Sequence, residues 1–201
     1  MKNNHIFVLR FFLSVLFFLG FSQAQFLYDP EPPANMAFVR LVNSDDKTFN
    51  LTVGEADFGK IESFSITKYR TVSQGDYKIL ASTVKISQGK FYTLVKQGDK
   101  IVVFEDSSSV KSKALLSVYN LSKNSISLKT DDGKVTVFQD IGKNLQKTQA
   151  VNAIKVGFSI FNGMIKIYSI PPVQLERDKV YCFFVFSDSK SMFIVSETQK
   201  N

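Results

Sequence analysis

Two aspartate pairs, Asp45-Asp46 and Asp131-Asp132, bring carboxylates close enough together to do chemistry. Paired carboxylates can hold Ca²⁺ or share acid and base work on a sugar. Both pairs fall in turn clusters, read as corresponding turns, where an aspartate bonds its own backbone. That structural role is the expected one. Arginine is scarce, with Arg40, Arg70 and Arg177 the only three beyond residue 24. Arg40 sits inside an otherwise apolar stretch. Its flat, two-pronged head suits an internal acid, or a carboxylate of a partner or a uronate. Pairing with an internal acid is favoured. Tyr28, Tyr69 and Tyr119 could stack on a sugar in a chain that has no tryptophan, although packing on a strand is the commoner fate.

Histidine limits what else is open. The one histidine is His5, in a segment expected to be removed. Without it the chain lacks the usual general base at neutral pH and the commonest metal ligand. A histidine-activated serine or cysteine nucleophile is excluded. Cys182, the single cysteine, lies in a very apolar run and reads as a small buried hydrophobe. The ten glycines are dispersed and form no phosphate-cradling loop. No catalytic constellation, metal or cofactor is expected.

The elements that carry these residues begin after an address signal. Lys2 and Arg10 precede the greasy run Phe11–Phe21, and Ser22-Gln23-Ala24 supplies small residues for a cut between Ala24 and Gln25. This is the layout of a secretory signal peptide. Residues 25–36 form a leader with Pro30, Pro32 and Pro33, which should be extended. The formal charge of +7 falls to +5 once Lys2 and Arg10 are gone, and the lysines are scattered. Nucleic acid is therefore not an expected partner, whereas an anionic polysaccharide is compatible with such a surface.

From Ala37 on, the chain is written twice. AFVRLVNSDDKTFNLTV (Ala37–Val53) reads again 77 residues later as ALLSVYNLSKNSISLKT (Ala114–Thr130). FYTLV (Phe91–Val95) reads again 89 residues later as VYCFF (Val180–Phe184). Short alternating runs recur every 8–12 residues with turn signals between them, the signature of a sandwich or barrel. The expected fold is all-β: two tandem small β-sandwich domains over residues 37–104 and 114–198, joined by a serine-rich linker at 105–113. Val180–Phe186 should be a central strand buried on both faces. Ile61–Ile66 and Val151–Ile160 read as strands, and 142–148 is the one helix-like stretch.

LYDPEPPANMAFVRLVN (Leu27–Asn43) resembles the start of the mature alginate O-acetylation accessory proteins, the AlgF family, and YRTVSQGDYKI (Tyr69–Ile79) is similar to that family too. The resemblance implies a periplasmic, non-catalytic component of a polysaccharide acetylation machine. It would work beside membrane-bound and periplasmic O-acetyltransferase components that modify a uronic-acid polymer. The family's motif supplies no catalytic residue. Tyr28, Asp29, Arg40, Tyr69 and Arg70 are the candidate partner or glycan contacts. The expected function is an adaptor that binds the acetyltransferases; the alternative is a carbohydrate-binding module for an anionic uronate polymer.

Overall fold

Strand β1 (Met36–Asn43) is buried along nearly its whole length, because alternate side chains enter two different cores. Val39 and Leu41 point into one core, Phe38 and Arg40 into the opposite face, and Val42 joins a second core there. A strand's period of two makes this division automatic. The computed structural model describes residues 34–108 and 110–196. The expected signal peptide, the Ala24–Gln25 cut, and Tyr28 and Asp29 lie outside the described residues.

After β1 come β2 (Phe49–Val53), β3 (Ala56–Ile61), β4 (Arg70–Ser73), β5 (Gly75–Ile79), β6 (Ser82–Ile86), β7 (Phe91–Gln97) and β8 (Lys100–Asp106). Eight more strands repeat the order: β9 (Ala114–Asn120), β10 (Ile126–Thr130), β11 (Thr136–Ile141), β12 (Leu145–Val151), β13 (Lys155–Asn162), β14 (Ile165–Gln174), β15 (Val180–Ser187) and β16 (Lys190–Ser196). The main sheet of the first half runs β4-β1-β7-β8, and that of the second runs β12-β9-β15-β16. In both, the first strand pairs antiparallel with one neighbour and parallel with the other.

The register reproduces the sequence repeat. Phe38 faces Phe91 and Arg40 faces Thr93; in the second half Leu115 faces Val180 and Ser117 faces Cys182. These partners are related by the offsets of 77 and 89 residues read from the chain. The protein is all-β, two sandwiches in tandem. Opposite the main sheet, the second half builds the sheet β11-β10-β13-β14, while the first half uses two separate hairpins, β2-β3 and β5-β6. Those hairpins meet through a side chain: a Cβ on Gly54 (φ +59°) would lie 3.0 Å from the Tyr77 ring. Glycine serves both the backbone angle and the close approach there.

Each half has its own apolar core, built in the first around Val39, Leu41 and Leu94 and in the second around Leu116, Val118 and Phe183. A third core joins the halves. Val42, Val95 and Phe104 from the first meet Leu115, Tyr119, Leu121, Cys182 and Phe184 from the second. All described residues thus belong to one compact unit. Val180–Phe186 is central and buried throughout, as its composition requires, because it separates the second core from the third.

Several local expectations change. The helix-like 142–148 stretch is mostly strand: β12 pairs with β9 over seven residues, so ladder bonds override weak helical propensity. The stretch expected as one strand from Val151 to Ile160 breaks into β12 and β13. The third strand spans 56–61 rather than 61–66. Beyond it Phe64 turns left-handed (φ +50°), unusual for a bulky residue, and its ring packs edge-on against Phe186 at 5.7 Å. The two aspartate pairs do not occupy corresponding turns. Asp45-Asp46 follows β1, whereas Asp131-Asp132 follows β10 and corresponds to Gly54-Glu55 after β2.

Candidate functional site

Polar side chains on the two main sheets face each other across the seam between the sandwiches. Arg40 reaches it because β1 alternates. Its Nε donates to Thr93 Oγ1 at 2.7 Å, and Nη2 donates to the Tyr119 hydroxyl at 3.0 Å. The Cys182 sulfur lies 3.5 Å from the same Nη2. The guanidinium also sits over the Tyr69 ring, 4.7 Å from its centroid, and over Phe184 at 5.2 Å. Such cation–π contacts strengthen when desolvated, and Arg40 is 2% exposed.

The counter-charge is Asp106, at the end of β8, 3.8 Å from Arg40 Nη2. Its carboxylate accepts from Thr93 Oγ1 at 2.5 Å, the Tyr69 hydroxyl at 2.7 Å and the Tyr119 hydroxyl at 2.5 Å. Gln146 of β12 adds a longer bond at 3.4 Å. Hydroxyl groups therefore bridge a pair of buried charges, the arrangement that offsets their desolvation. Burial opposes the Arg40 charge, but the groups around it, with the Asp106 carboxylate as the anion, outweigh it and hold the guanidinium protonated. Burial, then the Asp106 carboxylate, pushes the Tyr69 and Tyr119 phenols well above their ordinary range. Burial likewise raises the Cys182 thiol. Each of these three groups stays protonated and donates or packs; none is poised as a nucleophile or base. Among the described residues no buried side-chain polar atom lacks a partner.

Two clefts open beside this network. One, of about 620 Å³, lies between β4 and the β2-β3 turn and is lined by Glu55, Asp57, Tyr69, Arg70 and Thr71 among others. The other, of about 410 Å³, lies at the seam itself. Ile66–Tyr69 forms one wall, Met192 and Ile194–Ser196 form the other, and Arg40 lines it too.

Of the candidate contacts, Arg40 and Tyr69 come together and Arg70 does not join them. Arg40 is spent on internal partners and offers nothing to solvent. Tyr69 uses its hydroxyl on Asp106 while lining both clefts. Arg70 is exposed on β4, its guanidinium 5.7 Å from the Phe58 ring centroid. Tyr119 is 1% exposed and stacked on Phe184, so it is no sugar platform. The aspartate turns bond within the chain. Asp45 accepts from Lys96 Nζ and Gly98 N–H; Asp132 accepts from Thr130 Oγ1 and Lys134 N–H. Asp106 escaped the sequence reading because β8 runs on into the polar stretch assigned to the linker. Its one visible signal was a carboxylate two residues beyond the apolar run Ile101–Phe104.

The family model described as "Alginate O-acetyl transferase AlgF" matches residues 11–182. The chain belongs to the AlgF family. An AlgF relative from Pseudomonas aeruginosa, named "Alginate biosynthesis protein AlgF", is 32% identical over 165 residues, covering 79% of this chain and 76% of that protein. Similarly named proteins from Azotobacter vinelandii and Pseudomonas fluorescens are 30% identical over 165 residues and 29% identical over 186. They cover 79% and 90% of this chain, and 76% and 86% of their own lengths. Among solved structures, the C-terminal domain of AlgF from P. aeruginosa is 36% identical with a TM-score of 0.38, covering 43% of this chain and 99% of that one.

Proposed function

We propose that this protein is a periplasmic, non-catalytic adaptor in the O-acetylation of an exported, alginate-like polysaccharide. Membership of the AlgF family supports the choice of pathway. The observation that carries the adaptor reading is the seam. The polar cluster of Arg40, Asp106, Tyr69, Thr93 and Tyr119 spends its hydrogen bonds inside the chain, and it ties two sandwiches into one body. Such a cluster supports a rigid scaffold, and terminal strands of its sheets are the kind of backbone template that partners use. A tagged chain pulled from the periplasm of polymer-producing cells brings down O-acetyltransferase components. Recovery of none of them, while the polymer is being acetylated, would sink the reading.

A second reading, a carbohydrate-binding module for a uronate polymer, is supported by Arg70. This exposed guanidinium pairs with no carboxylate among the described residues and lines the larger cleft. Glu55 and Asp57 in that cleft could accept from sugar hydroxyls while Arg70 meets a carboxylate. Calorimetric titration with mannuronate oligomers tests it. Saturable heat that disappears in Arg70→Ala supports it, and none at millimolar sugar discards it.

A further inference from the structure

The geometry points to the outer edge of β16 as the place where this protein accepts an extended segment of a partner protein as an added strand. The inference rests on the adaptor reading above and names the surface and the partner's chemistry.

The outward backbone groups follow from the ladder. Val185 C=O accepts from Leu121 N and Lys179 C=O from Leu115 N, so odd-numbered residues of β15 turn their backbone groups toward β9. Cys182 and Phe184 therefore turn theirs toward β16, to meet Ile194 and Met192. Alternation leaves the N–H and C=O groups of Phe193 and Val195 facing away from the sheet, at the end of the order β12-β9-β15-β16.

Natural sheet edges are normally blunted by charge, proline, bulges or shortness. The other edges of the three four-stranded sheets follow that practice. β4 is only four residues long and starts on Arg70. β8 carries Lys100, Glu105 and Asp106. β11 carries Asp140, β12 carries Lys147, and β14 carries Lys166 with Pro171-Pro172. β16 begins on Lys190 and then runs Ser-Met-Phe-Ile-Val-Ser, without charge or proline.

This edge also has a cleft on each face. On the seam side is the cleft of about 410 Å³ with Ile66, Lys68 and Ile194. On the sandwich side is one of about 280 Å³ with Val173, Tyr181 and Val195. Strand addition takes its affinity from main-chain bonds and its selectivity from pockets for alternate side chains. Apolar side chains of the added strand would enter the two clefts in turn. An acidic one suits Lys68, which has no ion-pair partner among the described residues. The seam cleft is walled on both sides, by Ile66–Tyr69 and by β16, so it admits a slender segment more readily than the broad edge of a second copy.

The test uses the full mature chain and a periplasmic O-acetyltransferase component of the same machinery. Binding should slow amide exchange over Ser191–Ser196. Val195→Pro removes an outward N–H without touching the β15 ladder, and should weaken binding by about tenfold or more. Val195→Thr should bind like the parent. If Val195→Pro fails to fold, the exchange experiment on the unaltered chain decides. Binding by the parent with unchanged exchange, or equal binding by a folded Val195→Pro, overturns the edge assignment and leaves the adaptor reading standing. No binding by the parent removes both. A dimer in light scattering that Val195→Pro dissociates makes a second copy the occupant and overturns the partner assignment.

Discussion

Arg40 Nη2 donates to the Tyr119 hydroxyl at 3.0 Å, and that hydrogen bond crosses from one sandwich to the other. Tyr119 in turn donates its hydroxyl hydrogen bond to Asp106, the carboxylate that faces Arg40. The link between the halves is thus a closed circuit of one cation, one anion and the hydroxyls between them. Apolar side chains of the third core, Phe104 and Phe184 among them, pack around it.

Removing the cation strands the anion. Arg40→Met leaves Asp106 buried with neutral donors alone, and loss of one partner of a buried pair costs about 3–5 kcal/mol. Urea unfolding should show this loss. Arg40→Met combined with Asp106→Asn should recover a large part of it, since neither buried charge then remains. Equal losses in the single and double variants would contradict the circuit.

Tyr119→Phe keeps the stack on Phe184 but deletes the bridge between Arg40 and Asp106. A bond to a charged group is worth about 1.5–3 kcal/mol. Denaturant midpoints should fall accordingly, with the slope unchanged. A variant as stable as the parent would mean that the hydroxyl is idle.

Alkaline pH should open the protein. The Tyr69 and Tyr119 phenols and the Cys182 thiol are all raised in the folded state, first by burial. A group with a raised folded pKa contributes stability that is whole below its unfolded value and is lost as pH rises past it. For cysteine that loss begins near pH ~8.5, and for tyrosine near ~10. Melting temperature should therefore decline from about pH 8.5 and steepen beyond about 10, and tyrosinate absorbance from these two residues should appear only with unfolding. Free titration of every tyrosine in the folded protein would refute it.

Cys182 is fully buried, so a thiol reagent should leave it untouched until denaturant is added. Rapid labelling of the native chain would mean that the seam opens.

Asn43 and Asn120 supply the most direct check on the duplication. Asn43 Nδ2 donates to the carbonyls of Lys47 and Glu62, and its Oδ1 accepts from Asp45 N. Asn120, 77 residues on, donates to Asn124 and Ile141 and accepts from Ser122 N. Each buried carbonyl left without its donor costs about 1–3 kcal/mol. Asn43→Ala and Asn120→Ala should destabilise by similar amounts in thermal unfolding. Markedly unequal costs would argue that the two turns are not equivalent.

The sequence by itself determined the all-β class, the duplicated order of strands and the double-sided burial of Val180–Phe186. These follow from a period of two, from turn residues and from the 77- and 89-residue offsets, all of which are local or repeated signals. It also placed Arg40 in a strand and favoured an internal acid for it. Which acid was not legible, because Asp106 is 66 residues away, in a stretch whose composition resembles a linker. Tertiary structure alone chose that partner, laid the two main sheets face to face and left β16 at the end of its sheet among the described residues. Sequence periodicity says which side of a strand is apolar. Only the packing of distant strands decides what that side meets, since the free energy of a buried charge depends on neighbours brought by the fold rather than by the chain.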